Sequence, residues 1–451
     1  DVVTLIGILK ACGGIGAVDK GKQIHETIID RGLLEKHFVL GMALVDMYVK
    51  CGMLVNARGV IDELPDRNEV TWNTLIAGYA EHGYDMEALK SFEQMQIEGL
   101  YPDSITLVCS LRCCSSVGFL KKGMKIHAEI EKRGLLEIDL DVNRALIDLY
   151  IKCDLLLVAQ KLFDRLELKD MIVWNALIAG YSEAGHGEEA LTCLSEMQLL
   201  GIAPDVVTCI YALKACANIR SKDKGLITHS KILCKGLEGD HSVRNTLIDM
   251  YGDNGMLLEA RKVFDNMLKH SVVSWNTLIS GYIEHGHSDE ALQCFEQMKN
   301  EGISQDVVTF SLTLKACNDK EAFSKGQEIY IDIIKKGFED DHVVGSILVD
   351  MYMKCCHSIV ESQDVFDKMP CQTVLSWNSL IAGYSIHGFE VSALEGLQHM
   401  QSQGLSPTSV SYTYVINGCC SMKDVYNGKE IHMRIVKKGY ERDPLVINAL
   451  I

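Results

Sequence analysis

The sequence predicts an all-α fold, an α-solenoid (right-handed superhelix) of about 13 stacked helix-turn-helix repeats. Two observations predict this class. The first is a long internal period: the pair Trp-Asn recurs with spacings of 102, 101 and 102 residues, at Trp72, Trp174, Trp275 and Trp377. The second is helical spacing within each segment: Trp72, Leu75, Ile76 and Tyr79 fall at i, i+3, i+4 and i+7. Such short helices bury their apolar faces only by stacking on neighbours.

The long period divides into three kinds of unit that tile the chain. Long units are expected at 2–37, 104–139, 206–240, 307–341 and 409–443. Short units are expected at 38–68, 140–170, 241–271 and 342–373, and a truncated one at 444–451. Trp-Asn units are expected at 69–103, 171–205, 272–306 and 374–408. The fourth short unit carries one extra residue, which we place near Cys356 to Ile359. The chain starts and stops inside this pattern, so we expect a fragment of a longer protein.

Each unit is predicted to contain two helices. In the first Trp-Asn unit, Gly83 ends the first apolar stripe, and Ala88, Phe92 and Met95 form the second. Gly99 follows, at a place where a left-handed C-cap favours a residue without Cβ. Glycine holds this place in all nine units of 35 or 36 residues.

Composition excludes several classes of protein. Apolar residues make up 47% and charged residues 23%, which is typical of a well-packed chain, and the absence of a long apolar stretch predicts no membrane span. The 17 cysteines include no C-x-x-C pair. Those in the recurring Lys-Ala-Cys motif, Cys12, Cys216 and Cys317, are predicted to pack as small apolar residues. A net charge of −17 argues against a protein that binds nucleic acid mainly through phosphates.

The units resemble pentatricopeptide repeats of the plant PLS subclass, and the resemblance covers essentially the whole chain. Residues 273–306, with VSWNTLISGY, resemble the P-type motif. Residues 1–32, with GILKACGG, resemble the L-type, and 43–68, with ALVDMYVKCG, resemble the S-type. The resemblance implies binding of single-stranded RNA in a mitochondrion or chloroplast, with one base per repeat. It also implies editing or processing factors as partners in trans, no cofactor, no metal and no membrane. Family members commonly end in a DYW deaminase domain, of which this sequence has no signature, so we expect no enzyme activity here.

In this family the fifth and last residues of a repeat read the base. Carried over, the P-type pairs are Asn73 with Asp103, Asn175 with Asp205, Asn276 with Asp306, and Asn378 with Thr408. Asn with Asp implies U, and the fourth pair implies only a pyrimidine. Among the other units, Asn245 with Ser271 implies C, and both Ser311 with Asp341 and Thr413 with Asp443 imply G. The remaining units match no reading code, since Ile6, Val108 and Ile210, for example, cannot hydrogen-bond a base.

The second residue of each repeat contacts the base in this family, which implies apolar contacts from Val70, Ile172, Val273 and Leu375. With the protein's N-terminus at the RNA 5′ end, the implied target is 5′-n-n-U-n-n-U-n-C-U-n-n-Y-n-3′. G is an alternative at the tenth and last places. A correct pair contributes roughly 1–3 kcal/mol of discrimination by analogy with duplex DNA.

Other interpretations stand beside these. Asp103, Asp205 and Asp306 could equally be N-caps of the next helix, and the tryptophans favour core packing over base stacking. His127-Ala128-Glu129 matches half of a zinc deaminase signature, but its repeat position favours packing. The main alternative function is a protein-binding scaffold like tetratricopeptide repeats. Asn after every Trp and Asp at the end of most units favour RNA. The even spread of polar residues argues against an enzyme, which needs one catalytic cluster.

Overall fold

The computed structural model describes residues 1–34, 36–65, 67–166, 169–319, 322–356 and 359–450. These residues form helices and connecting turns and contain no strand, which confirms the predicted all-α class. None of the described helices combines the length and apolar character that a membrane crossing requires. By internal contacts the chain divides into two compact parts, Asp1–Ile219 and Arg220–Ile451.

The described helices follow one another in pairs joined by tight turns, and most have 13 or 14 residues. The first part contains α1 (Val2–Ile15), α2 (Val18–Asp30), α3 (Phe38–Lys50), α4 (Leu54–Glu63), α5 (Glu69–Glu81), α6 (Asp85–Ile97), α7 (Ser104–Val117), α8 (Leu120–Lys132), α9 (Leu140–Lys152), α10 (Leu156–Arg165), α11 (Met171–Glu183), α12 (Gly187–Leu199) and α13 (Val206–Asn218). A short 3-10 turn follows α8 at Leu135–Glu137.

The second part continues the same order. It contains α14 (Lys222–Cys234), α15 (His241–Asp253), α16 (Leu257–Asp265), α17 (Val272–Glu284), α18 (Ser288–Asn300), α19 (Val307–Asp319), α20 (Phe323–Lys336), α21 (His342–Met351), α22 (Ile359–Lys368), α23 (Val374–Ile386), α24 (Glu390–Ser402), α25 (Ser409–Met422), α26 (Val425–Lys438) and α27 (Pro444–Leu450). Short 3-10 turns lie at Leu237–Gly239 and Tyr440–Arg442, and a π-helical turn follows α21 at Tyr352–Cys356. Of the stretch 356–359, where we expect an extra residue, positions 357 and 358 lie outside the described residues.

Within each part the helices form two layers. In the first part the odd-numbered helices α1 to α13 contact one another in sequence. Each even-numbered helix packs against the odd-numbered helix before it and the one after it. In the second part the odd-numbered helices α15 to α27 form the same kind of layer, and α16 to α24 pack against it in the same way, while α14 packs on α15 and α26 on α25. This arrangement is the stack of helical hairpins that the sequence predicts.

The recurring Trp-Asn segments each contribute a buried tryptophan to the core. Trp72, Trp174 and Trp275 are at most 1% exposed and Trp377 is 5% exposed, so the expected core packing of these rings is confirmed. Phe163 packs edge-on against Trp174 with ring centres 4.5 Å apart. The tryptophans therefore hold the hairpins together and are not free to stack on a ligand.

Glycines fix two features of the stack. Gly99 has φ 76°, and the residue at the equivalent place of all nine predicted 35- or 36-residue units also has positive φ, as the C-cap interpretation requires. Gly78 in α5 serves a different purpose. A Cβ built there would lie 2.4 Å from Cγ1 of Val49 in α3, so the close approach of these two helices depends on the missing side chain.

Candidate nucleic-acid interface

The predicted last residue of each repeat lies at the start of the next odd-numbered helix, where it acts as the N-cap. Asp103 Oδ1 accepts from the backbone N–H of Thr106 at 2.8 Å, and Asp341 Oδ1 accepts from Val343 N–H at 2.9 Å. Asp443 accepts in the same way from Leu445 N–H at 2.9 Å. The capping interpretation of these residues is therefore correct. It does not exclude a second role, because a carboxylate has more lone pairs than a cap uses.

Asp205, at the start of α13, makes such a second contact. It belongs to a cluster of three side chains that we call the α11 amide cluster (Asn175, Asp205, Thr208). Nδ2 of Asn175 donates to Oδ1 and Oδ2 of Asp205 at 3.1 and 3.2 Å. The Thr208 hydroxyl donates to Oδ1 of Asn175 at 2.5 Å, while the Thr208 backbone N–H donates to Oδ1 of Asp205 at 2.8 Å. Thr208 is fully buried. The amide is thus held at both its nitrogen and its oxygen.

The same arrangement recurs in the second part of the chain as the α17 amide cluster (Asn276, Asp306, Thr309). Nδ2 of Asn276 donates to Oδ1 of Asp306 at 3.1 Å, and the Thr309 hydroxyl donates to Oδ1 of Asn276 at 2.7 Å. The backbone N–H of Thr309 caps on Asp306 at 2.8 Å. Two sites 101 residues apart therefore have one geometry, and each leaves one N–H and one oxygen lone pair of the amide unused.

Two further clusters vary this geometry. In the α5 amide cluster (Asn73, Asp103, Thr106) the Thr106 hydroxyl donates to Oδ1 of Asn73 at 2.5 Å. Its Asp103 is exposed, and no hydrogen bond joins it to Asn73 among the described contacts. In the α23 amide cluster (Asn378, Thr408, Ser411) the Ser411 hydroxyl donates to Oδ1 of Asn378 at 2.5 Å. There Nδ2 of Asn378 donates to the Thr408 hydroxyl at 3.3 Å.

The carboxylates of the two complete clusters are stabilised in the charged form. Burial raises the pKa of Asp205, but hydrogen bonds from the Thr208 backbone N–H and from Asn175 outweigh it, so the pKa lies below the ordinary value. The pKa of Asp306 is lowered by the balance of the same causes, with Thr309 and Asn276 as the donors. Both groups therefore stay charged acceptors at neutral pH.

The predicted pairs of the other units are not joined in this way. Oδ1 of Asn245 is buried and lacks a partner among the described residues, while Ser271 caps α17 by accepting from Ser274 N–H at 3.1 Å. Ser311 is 9% exposed and its hydroxyl likewise lacks a partner in the described part of the chain. The Thr413 hydroxyl donates to the Ser409 backbone carbonyl at 2.9 Å. These side chains share the register of the amide clusters without sharing their geometry.

The predicted base-contacting residues form an exposed apolar row beside the clusters. Val70, Ile172, Val273 and Leu375 are each between 47% and 60% exposed. The row also includes the second residues of helices for which the sequence prediction named none. These are Val3, Val39, Ile105, Val207, Val308 and Leu445. The same repeat register would have identified them, because each lies one residue into an odd-numbered helix.

A cleft of about 740 Å³ lies within this face in the first part of the chain. It brings together the second residues Ile105 of α7 and Ile172 of α11, with Val108 and Arg144 between them. The Arg144 guanidinium is bound by Asp141 at 2.5 Å and by Asp170. The cleft thus combines apolar walls with two cations, Arg112 and Arg144, and with the carboxylates of Glu81, Asp139, Asp141 and Asp148.

A row of exposed cations on the same helix face escaped the sequence prediction. Lys10, Arg112, Lys214 and Lys315 lie seven residues after the exposed second residues of α1, α7, α13 and α19. Positions i and i+7 share one face of a helix, and Arg112 lines the cleft together with Ile105. Their spacing of 101 or 102 residues was visible in the sequence. Exposed cations therefore recur on this helix face although the net charge is acidic.

The half signature around His127 has a structural explanation. Nδ1 of His127 is hydrogen-bonded to the Tyr150 hydroxyl at 2.7 Å, and His229 makes the same bond to Tyr251. Among the described residues, no group of three or more His, Cys, Asp or Glu side chains could hold a metal ion. Of the cysteines in the Lys-Ala-Cys motif, Cys12 is 3% exposed and Cys216 and Cys317 are fully buried, which confirms their packing role.

Stacked helical hairpins that repeat one polar cluster and one exposed apolar residue define an α-solenoid with a periodic face. Comparison with known proteins identifies the family. Sequence profiles of the PPR repeat family match residues 67–116, 169–218, 270–319 and 372–421, and the PPR repeat itself matches 242–272 and 410–440. The chain belongs to the pentatricopeptide repeat family.

Curated relatives come from Arabidopsis thaliana. One pentatricopeptide repeat-containing protein is 34% identical over 419 residues, covering 93% of this chain and 60% of the relative. Another, named chloroplastic, is 32% identical over 452 residues, covering all of this chain and 52% of the relative. A third, named mitochondrial, is 31% identical over 450 residues, covering 99% and 43%. The chain thus spans roughly half the length of these relatives.

Solved structures share the fold. The crystal structure of the pentatricopeptide repeat protein PPR10 from maize superimposes with a TM-score of 0.72 at 21% identity, covering all of this chain and 70% of that one. PPR10 in complex with an 18-nt psaJ RNA element gives a TM-score of 0.53 at 17% identity, covering all of this chain and 82% of that one. The helical-repeat fold predicted from the sequence is confirmed.

Proposed function

We propose that this chain is a sequence-specific binder of single-stranded RNA that reads one base per repeat. The observation that carries the proposal is the amide cluster. In the α11 and α17 amide clusters the asparagine is held at both ends by buried or capping groups, and it keeps one donor and one acceptor unused. A base is recognised by hydrogen bonds to its edge and by apolar contact with its face. The fixed donor–acceptor pair supplies the first, and the exposed apolar side chain beside it supplies the second.

The repeat spacing sets the register of the proposed complex. The units 69–103, 171–205 and 272–306 would read U at the third, sixth and ninth nucleotides, and 374–408 a pyrimidine at the twelfth. Unit 241–271 would read C at the eighth nucleotide. G at the tenth and thirteenth would depend on Ser311 with Asp341 and on Thr413 with Asp443. Val70, Ile172, Val273 and Leu375 would pack against the bases read by their own units.

The charge distribution fits an array in which base contacts outweigh phosphate contacts. The net charge of −17 opposes RNA at long range, while Lys10, Arg112, Lys214 and Lys315 offer one exposed cation about every three repeats. Each neutralised phosphate of a single strand contributes a salt slope of about 0.7. We therefore expect a shallow dependence of affinity on salt, corresponding to about four phosphates.

The names of the relatives support a biological setting. PPR10 is named as bound to RNA, and several Arabidopsis relatives are named chloroplastic or mitochondrial. We infer that the chain is the RNA-addressing part of an organellar editing or processing factor of the PLS type. Catalysis would then be supplied by another domain or by partners in trans, and this segment would use no cofactor.

The test is a binding selection with the chain Asp1–Ile451 and a random single-stranded RNA pool. The comparison protein carries Asn73→Ser, Asn175→Ser and Asn276→Ser together. Asn300→Ser, an exposed change at the end of α18 and away from the face, is the matched control. We expect enrichment of U at three-nucleotide spacing with the wild type and the control, and loss of that period in the triple variant.

Two outcomes would contradict the proposal in different ways. RNA binding without a three-nucleotide period, or with a period that the triple variant keeps, would refute the reading assignment. No RNA binding at all would favour the protein-binding scaffold, for which the acidic surface would then be the relevant feature.

A further inference from the structure

In the next odd-numbered helix after each of the four P-type asparagines, the third residue has a buried hydroxyl group. The reading role proposed above assigns no function to this group. Thr106, Thr208, Thr309 and Ser411 are all 0% exposed. Each lies one turn into an odd-numbered helix and 33 residues after its asparagine. Each hydroxyl lies within hydrogen-bond distance of the asparagine Oδ1, from 2.5 to 2.7 Å.

We propose that this hydroxyl is a specificity-positioning group, which fixes the direction of the reading amide and so decides between the two pyrimidines. The inference rests on the proposed reading function and concerns which residues set its specificity. It assigns to Thr106, Thr208, Thr309 and Ser411 a role in recognition although none of them is exposed to a ligand.

The position of the hydroxyl proton follows from the distances. The Thr208 oxygen lies 2.5 Å from Oδ1 of Asn175 and 2.8 Å from Oδ1 of Asp205. Two oxygens at 2.5 Å repel each other unless a proton lies between them, so the proton points to Asn175. Oδ1 of Asp205 does not need it, because this oxygen already accepts from the Thr208 backbone N–H and from Asn175.

The reversed amide is excluded by the other end of the cluster. A half-turn of the Asn175 amide would place its oxygen 3.1 and 3.2 Å from the two carboxylate oxygens of Asp205. The charged Asp205 cannot donate, and its lowered pKa keeps it charged at neutral pH. Hydroxyl and carboxylate together therefore allow one amide orientation.

Orientation matters because the two pyrimidines differ in the order of donors and acceptors. Uracil presents an N–H donor at N3 beside a carbonyl acceptor, whereas cytosine presents an acceptor at N3 beside an amino donor. An amide that can turn by half a turn pairs with either edge, and a fixed amide pairs with one. Without the hydroxyl, only the contact with Asp205 would orient the amide of Asn175, so the preference for U over C would weaken.

The test substitutes the isosteric Thr208→Val and measures affinity for RNAs that carry U or C at the sixth or at the ninth nucleotide. We expect the U-over-C ratio at the sixth nucleotide to fall about two- to tenfold, the range for one neutral hydrogen bond. The ratio at the ninth nucleotide, read by the untouched α17 amide cluster, should not change. Thr208→Ser keeps the hydroxyl and should keep the ratio.

Thr71→Val is the matched structural control. Thr71 is 1% exposed, is also the third residue of its helix, and closes the same kind of capping box with Asn68. The unit before Thr71 has Met42 at its fifth position, where the unit before Thr208 has Asn175. Thr71→Val should lose about as much stability as Thr208→Val, while the U-over-C ratios at the sixth and ninth nucleotides stay unchanged. An unchanged ratio in Thr208→Val, or an equal fall at the sixth nucleotide in Thr71→Val, would overturn this inference and leave the reading assignment intact. A wild type without U preference at these places would overturn the reading assignment itself.

Discussion

The α11 amide cluster (Asn175, Asp205, Thr208) and the α23 amide cluster (Asn378, Thr408, Ser411) repeat one architecture with a different group at the last position. In the first, the asparagine nitrogen donates to both oxygens of a carboxylate. In the second, it donates to a single hydroxyl at 3.3 Å. A buried hydroxyl holds the asparagine oxygen at 2.5 Å in both.

The difference teaches what the carboxylate adds. A charged carboxylate only accepts, so it dictates which end of the amide faces it, whereas a hydroxyl can accept or donate and tolerates either end. The contact is also stronger when the acceptor is charged. The α11 amide cluster is therefore held by two directional contacts and the α23 amide cluster by one. Three predictions would break or sharpen this comparison.

The largest effect is expected from removing the last-position side chain. Asp205→Ala deletes both the helix cap and the amide contact, so it should cost about 1 kcal/mol of local stability and lower the U preference at the sixth nucleotide. Thr408→Ala should cost less and leave the weak preference at the twelfth nucleotide nearly unchanged. Hydrogen exchange at the Thr208 and Ser411 amides reports the local stability, and RNA affinities report the preference. Equal losses in the two variants would show that the carboxylate has no special role.

A smaller effect is expected from converting one cluster into the other. Thr408→Asp places a carboxylate opposite Asn378 and should raise the U-over-C ratio at the twelfth nucleotide about two- to tenfold. Thr373→Asp is the control, because Thr373 caps α23 in the same way but follows Ser346, which has no amide to orient. An increase in both variants would trace the gain to negative charge near the RNA instead of to the amide.

The comparison also separates what sequence could predict from what it could not. The period of about 101 residues predicted the helical pairs, the buried tryptophans and the glycine C-caps, because each follows from the local spacing of apolar residues and glycines along the chain. The proposal that Asn73, Asn175, Asn276 and Asn378 read bases came from family resemblance. Thr208 was missed because its contact with Asn175 joins two hairpins, and a repeat pattern shows recurrence without showing which recurring residues touch.

The unit 241–271 shows a second limit of prediction from sequence, a predicted pair whose side chains are not joined. Asn245 has the register of a reading residue, yet only 26 residues separate it from Ser271, against 30 between Asn276 and Asp306. The helix in between, α16, has 9 residues where α18 has 13. The amide oxygen of Asn245 stays buried without a partner among the described residues. The repeat register alone could not reveal that Asn245 and Ser271 do not pair. The length of the intervening helix decides whether the N-cap residue lies close enough to the asparagine to form a hydrogen bond.

The smallest expected effect is a difference in how the two clusters respond to pH. The pKa of Asp205 is lowered in the folded chain, so its charge stabilises the fold above the ordinary aspartate value of about 3.9, and this contribution is lost as pH falls through the lowered pKa. Asp205→Asn keeps a capping side chain and removes the charge. We therefore expect wild type to be more stable than Asp205→Asn by an amount that is constant near neutral pH and shrinks only below about pH 4.

Thr408→Asn, at a position that does not titrate, should differ from wild type by the same amount at every pH. Urea unfolding of the three proteins across this range measures both differences. A gap between wild type and Asp205→Asn that already closes between pH 7 and pH 5 would require a raised pKa, and it would contradict the hydrogen bonds that Thr208 and Asn175 donate to the carboxylate.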